Sequence, residues 1–167
     1  MIKIFTLLLL FCLSIFAVTS SYATENWQLI LAEDPLSKQS ICLMISATRQ
    51  TEDGQTKTPV SLIYNGSVFI AKTKSNIDLS YPDIGLQVDN KKRHNIDRLH
   101  ENSNAVFKTK TRQLLDEFIN GLSAKLTLGF WPTWPKTRSY TTEFDLRGFT
   151  KTYKTFQHCQ KTGDILQ

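Results

Sequence analysis

His94, Asp97, His100 and Glu101 carry the side chains of a metal site within a short stretch. Zinc requires such groups to converge on one point. This spacing suits neither a zinc-protease helix nor a structural zinc site, and a strand with its exit loop would send the groups apart. The stretch therefore reads as a polar, solvated loop, and no metal or other cofactor is expected. Just upstream, Lys91-Lys92-Arg93-His94 follows a turn at Asp89-Asn90 and is expected to be exposed. Lys91, Lys92 and Arg93 are candidate contacts for an anionic surface. The plainer reading is a charged hairpin, because a few cations attract only modestly at physiological salt. Asp116 and Glu117 are adjacent carboxylates on a predicted helix. They are expected on its polar side, where they aid solubility rather than acid–base chemistry.

Tryptophans make a second candidate site. In "GFWPTWPKTRSY", Gly129 to Tyr140, Trp131 and Trp134 stand beside Pro132 and Pro135, with Lys136 and Arg138 behind them. The cluster is either the plug at the end of a core or an apolar patch rimmed by charge. Trp131 is expected to plug the core. For Trp134 both readings stay open, since two prolines would hold a binding loop rigid at low entropic cost. Trp131, Trp134, Lys136 and Arg138 are the candidate partner-binding residues.

Sulfur chemistry depends on compartment. Lys3, an apolar run from Leu7 through Val18, and Ser21-Tyr22-Ala23 together read as a secretory leader over residues 1–23. Cys12 leaves with it. Lipidation of Cys12 is disfavoured by the bulky Phe11 before it. Cys42 and Cys159 remain, and two thiols in an oxidising compartment predict one disulfide closing a loop of most of the chain. A catalytic thiol is the rival reading. His158 adjoins Cys159, but neighbouring helical positions point in different directions and do not make a Cys–His couple. No nucleophile elbow, phosphate-cradling glycine loop or dinucleotide fingerprint occurs in the sequence. Asn65-Gly66-Ser67 matches a glycosylation acceptor, which matters only in a eukaryotic secretory pathway.

The 167 residues are enough for one domain with a real core. Loss of Lys3 with the leader lowers the formal charge from +5 to +4. The basic residues are scattered among acids, which suits solubility and gives no reason to expect a nucleic-acid partner. After the leader no stretch is apolar enough to span a membrane.

The elements that must position these residues are mostly strands. Trp27 to Leu31 opens the fold, and Ile41-Cys-Leu-Met-Ile is apolar on both alternating faces, as in a strand covered from both sides. Thr51 to Thr58, with Asp53-Gly54, is a loop. Asn65-Gly66 predicts a two-residue hairpin turn pairing Tyr64 with Ser67, Ile63 with Val68 and Leu62 with Phe69. Ile84, Leu86 and Val88 form another strand, Arg93 to Asp97 its returning partner, and Ala105 to Thr109 a weaker one. Leu114, Leu115, Phe118, Ile119 and Leu122 stripe a helix over 111–122, capped by Thr111 and ended by Gly121. Ala124 to Phe130 and Tyr140 to Leu146 are half-buried antiparallel strands joined by the tryptophan loop. Phe149, Tyr153, Phe156 and Cys159 share one face of a last helix, expected to cover Cys42 and Met44. About seven strands and two short amphipathic helices predict a mainly β, antiparallel β-sandwich over residues 24–160, with a frayed tail over 161–167.

Several pieces occur together in a characteristic order: Trp27, Cys42, "SYPDIGLQVD" from Ser80 to Asp89, the helix ending near Gly121, and "FDLRGFTKTYKTFQHC" from Phe144 to Cys159. Within them, Pro82 to Asp89 and Gly148-Phe149-Thr150 are the most specific. This ordering resembles the bacterial invasion-associated locus B family and covers most of the mature chain. The resemblance implies an immunoglobulin-like sandwich exported to the periplasm or surroundings of a Gram-negative bacterium, with no established reaction. Many relatives carry a further cysteine pair in mid-chain, which this sequence lacks. The expected function is a non-catalytic envelope protein that binds a macromolecular partner or anionic surface component. The alternatives are a small periplasmic hydrolase or thiol enzyme, and a structural or chaperone-like envelope component.

Overall fold

The computed structural model describes residues 25–131 and 138–163. Its strands are β1 (Trp27–Glu33), β2 (Ser40–Ser46), β3 (Arg49–Glu52), β4 (Lys57–Tyr64), β5 (Phe69–Thr73), β6 (Asn76–Ile77), β7 (Gly85–Val88), β8 (Arg98–His100), β9 (Asn104–Phe107), β10 (Ser123–Leu128), β11 (Phe130–Trp131) and β12 (Tyr140–Asp145). Two helices accompany them, α1 (Thr111–Asn120) and α2 (Phe149–Thr162). The protein is thus mainly β, with more and shorter strands than the sequence predicts. A large antiparallel sheet runs β1-β2-β4-β5-β9-β8, with β3 paired to β4. A second sheet runs β12-β10-β7, and β11 pairs with β6 in a short ribbon.

The main core lies between the two larger sheets. Met44, Leu62, Phe69 and Ala71 of the large sheet meet Leu86, Val88, Leu126 and Phe144 of the small one. α1 contributes Leu114 and Phe118, and α2 contributes Phe149, Phe156 and Cys159. The reverse face of the large sheet is also apolar: Leu43, Ile63, Ile70 and Val106 form a second cluster with Leu36 and Ile41 against it. The double-sided apolar pattern of β2 and β4 has its cause here, since alternate residues of one strand enter different clusters. Lys38, beyond β1, reaches Glu101 in the β8–β9 turn at 2.8 Å.

The β4–β5 hairpin differs from expectation in register. Tyr64 faces Phe69, Ile63 faces Ile70 and Leu62 faces Ala71. Asn65 closes the turn instead of entering it: its amide donates to the Val68 carbonyl, and its Oδ1 accepts from the Ser67 and Val68 amides. Gly66, at φ 94°, becomes the first central residue, as a type II′ turn needs. The shift is by two positions, so every side chain keeps its predicted face.

Both ends of α1 also differ. Thr111 does not cap; its hydroxyl donates back to the Lys108 carbonyl at 2.7 Å. The helix stops at Asn120, so Leu122 leaves the stripe and is exposed. Gly121 is extended rather than left-handed. A Cβ there would lie 2.5 Å from Val88 Cγ1 and 2.7 Å from the Glu117 carbonyl, so the glycine serves close packing. α2 runs through Thr162 and ends on the left-handed Gly163, so Lys161 and Thr162 are helical rather than part of a frayed tail. Its aromatic stripe covers Cys42 and Met44 as expected, and the Cys42–Cys159 disulfide spans Cα atoms 6.2 Å apart, within the range such bridges need.

Candidate basic cleft

The segment after β7 returns across that strand through a single bridge rather than a full strand. The Leu86 amide donates to the His94 carbonyl at 2.9 Å, and the His94 amide donates to the Leu86 carbonyl at 2.7 Å. Gly85 permits this approach. At φ 142° it lies outside the range of ordinary side chains, and a Cβ would sit 2.4 Å from the His94 carbonyl. The bridge brings the His94 side chain beneath α1.

There it meets Glu117. His94 Nε2 and Glu117 Oε2 are 2.8 Å apart, and both side chains are buried. Gln113 Nε2 donates to the other Glu117 oxygen at 2.9 Å. Glu117 is therefore not on the polar side of its helix. It occupies the boundary of the apolar stripe, one turn from Gln113 and next to the buried Phe118, while Asp116 faces solvent as expected. Glu117→Leu is expected to strand His94 Nε2 and lower stability by about 1–3 kcal/mol. Adding His94→Leu should recover part of that loss, because two apolar groups leave no buried polar atom without a partner. Urea unfolding of the two single variants and the double variant checks this.

Beside the pair opens a cleft of about 250 Å³. Lys92, Arg93 and Lys110 stand on its walls, with the buried Phe107 and Leu114 below. None of the three cations forms an ion pair among the described residues. Asp97 also lines the cleft. Partial burial pushes its carboxyl up, but the Thr109 hydroxyl and the Thr109 and Lys108 amides together hold it below the usual range. Its oxygens are thus committed to their own loop. His94 Nδ1 carries no protein hydrogen bond among the described residues. An imidazole fixed through one nitrogen can offer the other to a ligand as donor or acceptor.

Lys91, Lys92 and Arg93 are exposed as expected, and two of them meet Lys110 at this cleft. The metal-like quartet diverges: His94 goes to Glu117, Asp97 to the 108–109 turn, and His100 lies 3.8 Å from Glu101. Cys42 and Cys159 are bonded to each other, so neither provides a thiolate. Trp131 is a correction. It is 65% exposed and plugs nothing, whereas Phe130 before it is fully buried. Alternation in β11, which pairs Trp131 with Asn76 and Phe130 with Ile77, admits only one of the two to the core. Arg138 is exposed and rests over the Tyr140 ring at 5.0 Å. Trp134 and Lys136 lie outside the described residues. Lys110 and Glu117 were missed as site residues because nothing local marks them. Their signal is tertiary, the docking of α1 on the His94 segment.

Fold and site together describe a disulfide-clasped antiparallel β-sandwich bearing a small basic cleft. No protein-family model matches the chain, and no curated protein matches it. Among solved structures, the crystal structure of invasion associated protein B from Bartonella henselae is similar. The TM-score is 0.50 at 20% identity, over 81% of this chain and 94% of that protein. At this identity the likeness establishes a shared fold. Among the described residues no helix is long and apolar enough to cross a membrane.

Proposed function

We propose that this protein is an exported, non-catalytic envelope protein of the invasion-associated B type that binds an anionic macromolecule or surface component. The carrying observation is that Lys92 and Arg93 of the exposed run Lys91-Lys92-Arg93 meet Lys110 at one cleft, where Asp97 is the one carboxylate of the lining and forms no ion pair with any of them among the described residues. Unpaired cations on one face attract polyanions and set the orientation of approach. The exposed Trp131 and the exposed Arg138 are further candidate contacts. The fold shared with invasion associated protein B supports the envelope setting, and a disulfide suits an oxidising compartment. An inherited link with invasion is the finest form of this reading. The bonded cysteines argue against a thiol enzyme. A hydrolase would need a cleft that gathers His94 or His100 with carboxylates; His94 does meet Glu117 beside the cleft that Asp97 lines, but no serine or cysteine hydrogen-bonds to it among the described residues.

The test uses the mature chain on immobilised heparin, a generic polyanion. Replacing Lys91, Lys92 and Arg93 together by Gln is expected to remove most retention at physiological salt, whereas Lys154→Gln, on α2, should change it little. Equal retention of all three proteins would overturn the assignment of this face.

A further inference from the structure

We propose that the cleft between the His94 segment and the first turn of α1 is a binding site for a phosphate monoester carrying a short carbon or sugar fragment. The inference rests on the anionic-face reading above and deepens it, by naming the chemical group the cleft takes.

Charge selects the group. Lys92, Arg93 and Lys110 give three positive charges on the walls, against the one negative charge of Asp97. The Asp97 oxygens already accept from Thr109 and Lys108, so the carboxylate does not bind the cations in a ligand's place. A net charge near +2 matches a phosphate monoester, which carries about −1.5 to −2 at neutral pH. The guanidinium offers a planar fork to two phosphate oxygens, and the ammonium groups act as point charges beside it.

His94 and the start of α1 add polar groups beside these charges. His94 is buried and lines the cleft, fixed through Nε2 by Glu117 with Nδ1 uncommitted. Lys110, the residue before the first turn of α1, makes no capping hydrogen bond, and no acidic side chain occupies that turn. Size limits the rest of the ligand. A space of about 250 Å³ falls below the range of drug-sized pockets, roughly 300–1,000 Å³. Phe107 and Leu114 form its apolar floor, so the carbon part lies inward while the phosphate meets the cationic rim.

Two sources share this chemistry: a soluble phosphomonoester and the headgroup of a phosphomonoester lipid. The mature protein is titrated with inorganic phosphate, glycerol 3-phosphate and glycerol, followed by calorimetry and by amide resonances of residues 92–95 and 110–113. In a second arm it is mixed with phosphatidylcholine vesicles with or without phosphatidic acid. Saturable binding of glycerol 3-phosphate but not glycerol is expected. Lys110→Gln and Arg93→Gln should each weaken it about ten-fold, the loss of one charge-assisted hydrogen bond. Lys154→Gln should leave it unchanged. Binding confined to phosphatidic acid vesicles, with the same dependence on Lys110, supports the site and assigns a lipid source. No saturable binding in either arm, or equal weakening by Lys154→Gln, overturns it. Heparin retention that needs Lys91, Lys92 and Arg93, without phosphate binding, would sink the cleft site alone. Phosphate binding with no heparin retention would instead sink the polyanion reading alone.

Discussion

Trp27→Ala is expected to lower the stability of the fold by about 3–5 kcal/mol, the cost of truncating a large, fully buried aromatic side chain. Trp27 begins β1 and is 1% exposed. Its ring stands edge-on to Phe149 at 4.9 Å and to Phe118 at 5.9 Å. Its Nε1 donates to the Asp145 carbonyl at 2.9 Å, and its own carbonyl accepts from the Thr152 hydroxyl. One side chain thus ties the edge of the large sheet to both helices and to β12. A cavity at this point loses dispersion contacts on several sides at once, and the rigid sheets collapse only partly into it. Since a domain of this kind holds about 5–15 kcal/mol in total, the variant should be close to unfolding at physiological temperature. Trp27→Phe keeps most of the ring contacts and should lose only about 1–3 kcal/mol, chiefly through the stranded Asp145 carbonyl. Urea midpoints of the two variants provide the measurement. A loss below about 1 kcal/mol for Trp27→Ala would show that the aromatic cluster does not organise the fold.

Removing the Cys42–Cys159 bridge, as the double Ala variant, is expected to cost about 2–5 kcal/mol. The bridge closes 117 positions of sequence, and the chain-entropy relation gives about 4–5 kcal/mol for a loop of that length. The effect acts mainly on the unfolded chain, which gains freedom when the link is cut. A local consequence should accompany it. α2 reaches the large sheet through Cys159, Phe156 and the Gln160 side chain, which donates to the Cys42 carbonyl. Without the bridge, hydrogen exchange should speed up in the last turns of α2 before it does in β4 or β5, which lie inside the large sheet. Thiol labelling of the native wild-type protein should find neither cysteine reactive. Full labelling without reductant, or unfolding midpoints unchanged by reductant, would contradict the clasp.

Much of this was legible in the residue pattern. Alternation announced β10 and β12, a continuous apolar run announced β2, the Asn65-Gly66 turn announced β4, and a helical stripe announced α2 with Cys159 on its inner face. The bridge is expected from a count of two thiols and the compartment that the leader implies, and the shared face of Cys42 and Met44 places it under the last helix. Lys91 to Arg93 were legible as exposed because a turn precedes them. The parity of Phe130 against Trp131 was also readable, yet it was outweighed by the expectation that tryptophan hides. Alternation in the two-residue β11 buries Phe130 and leaves Trp131 outside.

What the chain by itself determined is the inward face of β2, β4, β10 and β12 and the apolar stripe of α2, because these depend on periods of two and 3.6 residues that persist wherever an element docks. The tertiary structure alone decided that Glu117 meets His94, and that Lys110 joins Lys92 and Arg93 around one cleft. Those contacts link segments separated in sequence, through the angle at which α1 lies on the bridge at Gly85. A docking angle arises from the packing of many side chains at once and leaves no mark on the local pattern.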